Sequence, residues 1–178
     1  MLEVLRSRRS VRSYKSQPVA KEQVDTLLEA VLRSPSSRGF KPWEFIVVGD
    51  HQLIEKLALA KAQGSAFLAR APLAVVVIAD TCKSDVWVED CAIAAIILQL
   101  TAETLGLGSC WAQIRNRPHG ESVSAEEYLR ELLALPEHFA VECVIGIGYP
   151  DEEKIPHPAE SLDFSKVHRE VFAAEQKG

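Results

Sequence analysis

The spacing of apolar side chains along the chain predicts alternating helices and strands. Leu27 and Val31 lie on one helix face, which predicts an amphipathic helix over residues 21–33. This helix should end before Pro35, because the residue before a proline disfavours helical backbone. A second helical pattern begins at Leu53.

Continuous apolar runs predict the strands. Residues 45–48 form a short β-branched run, and residues 141–147 form a longer stretch that is apolar except at Glu142. Residues 73–79 are apolar at every position, which predicts a strand buried on both faces at the centre of a sheet. Residues 108–111 should enter a further strand.

Two more helices follow from the pattern in the second half of the chain. Residues 84–105 form a long helix whose middle has almost no polar face, so it must be buried on nearly all sides. We expect a second chain to supply part of that burial. Ser124 and Glu127 form a capping-box pattern that predicts the start of another helix.

Composition limits the class of protein. The 178 residues are 47% hydrophobic and 25% charged, which predicts one globular domain over residues 1–178. The net charge of −5 argues against a general nucleic-acid binder. The charged start, Met1–Arg6, does not fit a secretory signal, and no apolar run approaches the length of about 20 residues that a membrane span needs.

The four cysteines show no C-x-x-C spacing and lie in or beside apolar stretches. This pattern predicts buried free thiols in a reducing compartment. We therefore expect a cytoplasmic protein without membrane or nucleic-acid partners.

A basic cluster near the amino terminus opposes the negative net charge. Arg8, Arg9 and Arg12 place three guanidinium groups beside the hydroxyl of Ser10. Guanidinium groups offer paired donors that match phosphate oxygens, so the cluster can hold a small anion. A solvated basic turn is the alternative, and it is the commoner fate of a charge run.

Four motifs in a fixed order resemble those of the nitroreductase-like flavoproteins. They are RRSVRSY at 8–14, SPSSRGFKPWEF at 34–45, LGLGSCW at 105–111 and IGYP at 147–150. The resemblance implies an α+β fold with a central mixed, largely antiparallel sheet flanked by helices. It also implies an intertwined homodimer with FMN at the subunit interface.

The same resemblance implies an activity. The chain would be an NAD(P)H-dependent flavin oxidoreductase that reduces nitroaromatic, quinone or related conjugated acceptors. Its mechanism would be ping-pong hydride transfer through the flavin N5, without a catalytic side chain. A non-catalytic FMN-binding or storage protein and a specialised branch of the family are the alternatives.

The motifs also assign residues to the cofactor. By resemblance, Arg8 and Ser10 hold the phosphate or ribityl end of FMN, while Arg9 and Arg12 reach the ribityl group and the ring edge. A surface ion pair is the alternative for Arg12.

The second motif implies a contact with the flavin of the neighbouring subunit through Pro35, Ser36 and Ser37. A Pro-Ser-Ser turn can also simply end a helix. Gly39 stands where the family has asparagine, although glycine permits close backbone approach. Lys41 replaces the usual glutamine.

The remaining predicted contacts lie in the second half of the chain. The backbone around Cys110, Trp111 and Ala112 is expected to pass the flavin ring, and the alternative for Trp111 is a core side chain. The family usually returns a basic residue to the phosphate after Gly-Tyr-Pro. Here Lys154 and His157 are the candidates, and solvated side chains are the alternative.

Three other sites find no support in the sequence. The glycine pairs at 106–108 and 146–148 do not complete a dinucleotide fingerprint. Gly108–Trp111 matches part of a thiol-protease signature, but such a site needs an asparagine about 130–150 residues downstream, and the only asparagine of this chain is the nearby Asn116. The five histidines show no metal-ligand spacing, so no metal site is predicted.

Overall fold

A computed structural model describes residues 1–172 of the chain. The described helices are α1 Leu2–Ser7, α2 Lys21–Leu32, α3 His51–Ala58, α4 Trp87–Thr104 and α5 Ala125–Leu132. The described strands are β1 Trp43–Val48, β2 Leu73–Asp80, β3 Gly108–Gln113 and β4 Phe139–Gly148. Every helix and strand expected from the apolar pattern is thus present.

The strands form one sheet in the order β1-β2-β4-β3, and each neighbouring pair is antiparallel. β2 lies inside this sheet and all its residues are buried, which confirms the predicted central strand. Parallel pairing within residues 1–172 is limited to an isolated bridge between Ser10 and Ser109. The α+β architecture with a largely antiparallel sheet is confirmed.

The sheet has an apolar layer on each face, because successive strand side chains point to opposite sides. Val75 packs with Leu27 of α2 and Leu98 of α4 on one face. Val76 packs on the other face with Ile54 of α3, and α5 covers the same side. The helices therefore flank the sheet as expected.

Side-chain caps fix where two of these helices begin. Asp50 accepts a hydrogen bond from the Leu53 N–H at 2.8 Å, which caps α3. At α5, Ser124 Oγ accepts from the Glu127 N–H at 3.1 Å, and Glu127 Oε2 accepts from the Ser124 N–H at 2.7 Å. The predicted capping box is confirmed.

The long helix α4 starts three residues later than its apolar pattern suggested. The Ser84 hydroxyl accepts from the Val86 N–H at 3.3 Å, so residue 84 belongs to the turn before the helix. Ile93 and Ile96 remain 39% exposed, so one chain does not bury all sides of α4. Among the described residues, no helix is both long and apolar enough to cross a membrane.

The cysteines are free thiols, and three of them are buried. The prediction of burial is wrong for Cys82, which is exposed. Cys82 follows the last residue of β2, Asp80, in a turn, so the buried strand ends before it.

One irregularity interrupts the pairing of β2 with β4. Val77 pairs with Cys143, but the next residue, Ile78, pairs with Val141. Glu142 is therefore an extra residue in β4, a β-bulge.

Candidate functional site

The basic cluster lies where the chain leaves α1 and meets the outer edge of β3. The Arg8 N–H donates to the Val4 carbonyl at 2.9 Å at the end of α1. Ser10 forms the parallel bridge with Ser109, and the Val11 N–H donates to the Ser109 carbonyl at 3.0 Å. The sheet therefore fixes the backbone of residues 8–11.

Two glycines allow this close approach. A Cβ atom at Gly108 would come within 2.7 Å of the Val11 Cβ. A Cβ atom at Gly148, the partner of Gly108 in β4, would come within 2.5 Å of Pro72 and 3.1 Å of the Tyr14 ring. Real side chains do not reach such distances, so these positions need glycine for packing.

Tyr14 anchors the end of the cluster. Its hydroxyl lies 2.5 Å from the Val11 carbonyl and 3.1 Å from the Gly146 carbonyl. Burial raises the pKa of the Tyr14 hydroxyl above its ordinary value, so the group stays protonated and donates. The hydrogen bond to the Gly146 carbonyl holds the segment against β4.

The guanidinium groups of Arg8 and Arg12 form no salt bridge within residues 1–172. Both positive charges lie close enough to the buried thiol of Cys110 to influence its pKa. Burial raises the pKa of Cys110, although Arg12, the Ser10 hydroxyl and Arg8 each act to lower it. The surface ion pair that was the alternative for Arg12 is absent from the described residues.

Arg9 turns toward the carboxyl-terminal segment, where its Nη1 donates to the Ile155 carbonyl. Arg9 and Lys154 line a cleft of about 240 Å³ with Gly106 and Gly108. The cleft also contains Glu152, so it is not purely basic.

Glu152 ties the carboxyl-terminal segment to the basic cluster. Its Oε1 accepts from the Arg12 N–H at 2.6 Å and from the Ser13 N–H at 3.2 Å. Its Oε2 lies 2.7 Å from Lys154 Nζ. The Arg12 N–H, Lys154 and the Ser13 N–H lower the pKa of Glu152, so the carboxylate is charged at neutral pH. No feature of the sequence pattern pointed to this role.

The two predicted carboxyl-terminal contacts thus differ. Lys154 lies in the cleft beside Arg9. His157 is exposed, and no hydrogen bond within residues 1–172 ties it to the basic cluster. Its assignment to the phosphate stays a prediction.

The outer edge of β3 continues from the basic cluster. In an antiparallel strand the N–H and C=O of one residue point to the same side. Ser109 faces outward to Val11, so Trp111 and Gln113 also face outward. Among residues 1–172, no backbone group pairs with the outward groups of Trp111 and Gln113, which leaves this edge open to a ligand.

The structure separates the three predicted contacts on this strand. Trp111 is partly buried and lies at the open edge. Cys110 lies under the basic cluster. The backbone groups of Ala112 point toward β4, and its fully buried side chain lies on the face of the sheet opposite to Trp111. Ala112 is therefore not brought to this edge. Sequence reasoning missed Gln113, although strand alternation puts it on the same side of β3 as Trp111.

The loop at residues 35–37 lies elsewhere. The Ser37 N–H donates to Asp90 Oδ1 at 2.8 Å near the start of α4, and Ser36 Oγ accepts from the Lys41 N–H at 2.8 Å. Pro35 is exposed beside them. Arg9 of the basic cluster instead lines a cleft with Glu103, at the other end of α4. At 1.5 Å per residue, the 13 residues from 90 to 103 span roughly 20 Å.

Gly39 lies in the strained part of this loop. Its φ is +71°, and Arg38 and Lys41 have φ values of 53° and 47°. Left-handed backbone favours glycine, and asparagine tolerates it better than most residues. The exchange of asparagine for glycine at this position is therefore compatible with the loop backbone.

Comparisons with known proteins bear on this site. The sequence profile of the nitroreductase family matches residues 5–66 and 58–149. The chain is 36% identical over 176 residues to an Archaeoglobus fulgidus protein provisionally named NADH dehydrogenase/NAD(P)H nitroreductase, covering 96% of the chain and 98% of the relative. It is 29% identical over 182 residues to the Bacillus subtilis FMN reductase (NAD(P)H), covering 89% and 70%.

A solved structure is closer in sequence than either relative. The FMN-dependent nitroreductase from Clostridium difficile R20291 is 48% identical to the chain. It superposes with a TM-score of 0.95, covering 97% of the chain and 100% of that protein.

Proposed function

The chain belongs to the nitroreductase family, and we propose that it is an FMN-dependent oxidoreductase that uses NAD(P)H. Its acceptors would be nitroaromatics, quinones or related conjugated small molecules. The names of the Bacillus subtilis relative and the Clostridium difficile structure support FMN as the cofactor.

One observation of the chain itself carries the proposal: the Arg8 and Arg12 guanidinium groups, which form no salt bridge within the described residues, lie next to an unpaired strand edge. Arg8 and Arg12 form no salt bridge within the described residues, and Ser10 adds a hydroxyl between them. Such a donor set fits a phosphate, because charge-assisted hydrogen bonds to phosphate oxygens are strong. A solvated turn would not need the sheet to fix its backbone.

The open edge of β3 fits the other half of the cofactor. The outward N–H and C=O groups of Trp111 and Gln113 offer both donors and acceptors to the polar edge of a flat ring. The basic cluster lies beside Ser109, and the open edge begins two residues later, at Trp111. One FMN molecule can therefore place its phosphate at the cluster and its ring at the open edge. The residues of this chain therefore suit FMN.

FMN bound here would supply hydride acceptance and donation, which no side chain of the protein can provide. The chain's own residues would bind and orient. Arg8 and Ser10 would hold the phosphate end, and Arg12 would place a positive charge at the ring edge. That charge favours negative charge on the ring and so favours its reduction.

We further propose a homodimer in which each FMN lies between two chains. The loop at residues 35–37 is roughly 20 Å along α4 from the basic cluster of its own chain. The exposed Ile93 and Ile96 of α4 give a second chain an apolar surface to cover. Free cysteines support a cytoplasmic location.

The absorption spectrum of the purified protein tests the proposed cofactor. We expect a yellow protein that is bleached by NADH or NADPH without oxygen and recovers its colour when a quinone or a nitroaromatic is added. Colourless protein that does not bind added FMN would contradict the proposal. Flavin that binds but is not reduced would favour the non-catalytic alternative.

A further inference from the structure

The β-bulge places Glu142 in β4, the strand that pairs with β3 on the side away from its open edge. Glu142 has no partner in β2, and its carbonyl faces β3, where it accepts from the N–H groups of Ile114 and Arg115, both at 3.2 Å. These bonds pin the end of β3 to the bulge. Bulges commonly redirect a side chain beside an active site.

The redirected side chain meets a short hydrogen-bond chain that ends at the open edge. Trp111 Nε1 donates to Gln113 Oε1 at 2.8 Å. Gln113 Nε2 donates to the Arg115 carbonyl at 3.1 Å and lies 3.4 Å from both the carbonyl and the Oε1 atom of Glu142. The amide of Gln113 thus connects the indole to the carboxyl group.

Glu142 is only 5% exposed. Its Oε2 atom is buried and has no hydrogen-bond partner among the described residues. An ionised carboxylate with so few partners is costly in a protein interior, so such a group usually stays uncharged.

Burial has the largest effect on the ionisation of Glu142. Burial raises the pKa of Glu142, and the carboxylates of Glu126 on α5 and Glu89 on α4 raise it further. Gln113 and Arg115 oppose this rise without cancelling it. The buried thiols of Cys91 and Cys143 also face the group, and burial raises their pKa values, that of Cys91 to about 12, so they carry no charge at neutral pH.

We propose that Glu142 is a positioning residue whose uncharged carboxyl group orients the Gln113 amide, and through it the Trp111 indole, at the edge where the flavin ring would lie. The placement of the ring rests on the proposed function. The hydrogen-bond chain itself does not, because it exists within the protein without a ligand.

Ionisation of Glu142 would change this arrangement. A carboxylate attracts the Gln113 Nε2 group more strongly than an uncharged acid does, and the amide would turn away from the Arg115 carbonyl. The Oε1 atom of Gln113 would then move relative to the Trp111 indole. The environment of Trp111 should therefore depend on the charge of Glu142.

Tryptophan fluorescence of the flavin-free protein, measured as a function of pH, tests this coupling. We expect emission to change with a midpoint above the ordinary range of a glutamate. The Trp111→Phe variant should lack the change, which assigns it to Trp111 and not to Trp43 or Trp87. The Glu142→Gln variant keeps a neutral oxygen acceptor, so it should fold and show no transition.

A neighbouring acid gives the matched control. The Glu89→Gln variant removes one negative charge near Glu142 and leaves the hydrogen-bond chain intact, so it should move the midpoint to lower pH. A transition that persists in Glu142→Gln, or a midpoint that Glu89→Gln moves to higher pH, would overturn the assignment to Glu142. An emission that does not change with pH in the parent protein would overturn it as well.

FMN affinity then tests the positioning role. Glu142→Leu should weaken FMN binding roughly fivefold, the effect of losing one ordinary hydrogen bond, and Glu142→Gln should bind as the parent protein does at neutral pH. Equal affinity in both variants would contradict positioning. If the parent protein binds no FMN, the proposed function fails, and the fluorescence result still decides whether Glu142 controls Trp111.

Discussion

Gly108 and Gly148 show at the residue scale how packing places the basic cluster. They pair across β3 and β4, and Val11, Pro72 and Tyr14 fill the space above them. Their role is steric, because even a methyl group would collide with these neighbours. The cluster can therefore lie on the sheet only while both positions lack a side chain.

A Gly148→Ala substitution should destabilise the protein by about 1–3 kcal/mol, the usual cost of overpacking a core. Gly120→Ala is the matched control, since no atom lies within 4 Å of a Cβ there. Denaturant unfolding of both variants measures the difference. Equal stability of the two would show that the segment is free to move away from the sheet.

The hydrogen bonds of the Glu152 carboxylate should make the attachment of the carboxyl-terminal segment sensitive to acid. Its pKa is lowered in the folded chain, so its charge stabilises the fold above its unfolded pKa near 4.5. That contribution is lost as pH falls through the lower, folded value. We expect Glu152→Gln to reduce stability at neutral pH and to flatten the loss of stability in acid.

The neighbouring acid provides the comparison for this prediction. Glu153→Gln removes a charge one residue away, from a side chain that is exposed and forms no hydrogen bond among the described residues. Unfolding curves at several pH values should show little change for this variant. If both variants lose the same stability, the bonds to Arg12 and Ser13 are not its source.

The sequence could predict only part of the site at this scale. Arg8, Ser10 and Arg12 belong to one short motif, so their proximity follows from the chain itself. Glu142 and Glu152 reach the site through a bulge and a returning segment, which have no local signature. Gln113 could have been found, because strand alternation relates it to Trp111.

At the scale of elements, strand and helix identity was predictable where the apolar pattern was strong. The central strand β2 is apolar throughout, and α5 begins at a capping box. The apolar pattern predicts the start of α4 three residues early, because Ser84 caps a preceding turn and does not itself continue the helix. The bulge in β4 was not predictable, since one glutamate in an otherwise apolar run does not by itself mark a bulge.

The exposed side of α4 predicts a dimer contact. Ile96→Glu would place a charge in that contact and should weaken dimerisation roughly hundredfold or more, because an unpaired buried charge costs about 3–5 kcal/mol. Sedimentation equilibrium of the variant and the parent protein measures this shift. Release of FMN should accompany it if two chains form the site.

Leu59→Glu provides the control for the α4 variant. Leu59 is 64% exposed at the end of α3, so it adds the same charge to a different apolar surface. We expect this variant to remain dimeric. A monomer in both cases would indicate a general loss of folding, and a dimer in both would remove α4 from the interface.

For the whole molecule, the arrangement of the two halves of the site matters most. The motifs at residues 8–14 and 34–45 are close in sequence, which does not reveal how far apart they lie. The structure places them near opposite ends of α4, with the loop held by Asp90 and the cluster held by Ser109. The proposed dimer would bring the loop of one chain to the basic cluster of the other.

Complementation between two damaged chains tests this central claim most directly. Arg8→Ala should weaken FMN binding roughly ten- to hundredfold by removing charge-assisted bonds, and Ser37→Trp should block the loop. A mixed dimer of the two variants would contain one site with both defects and one intact site. Mixing Arg8→Ala with Ser10→Leu is the control, because both changes lie in the same half.

The measurement is FMN retained by the mixed dimers, compared with each variant alone. The account predicts that Arg8→Ala and Ser37→Trp chains together regain tight FMN binding, while the control mixture does not. Mixed dimers of Arg8→Ala and Ser37→Trp that bind FMN no better than either parent variant would contradict a site shared between two chains.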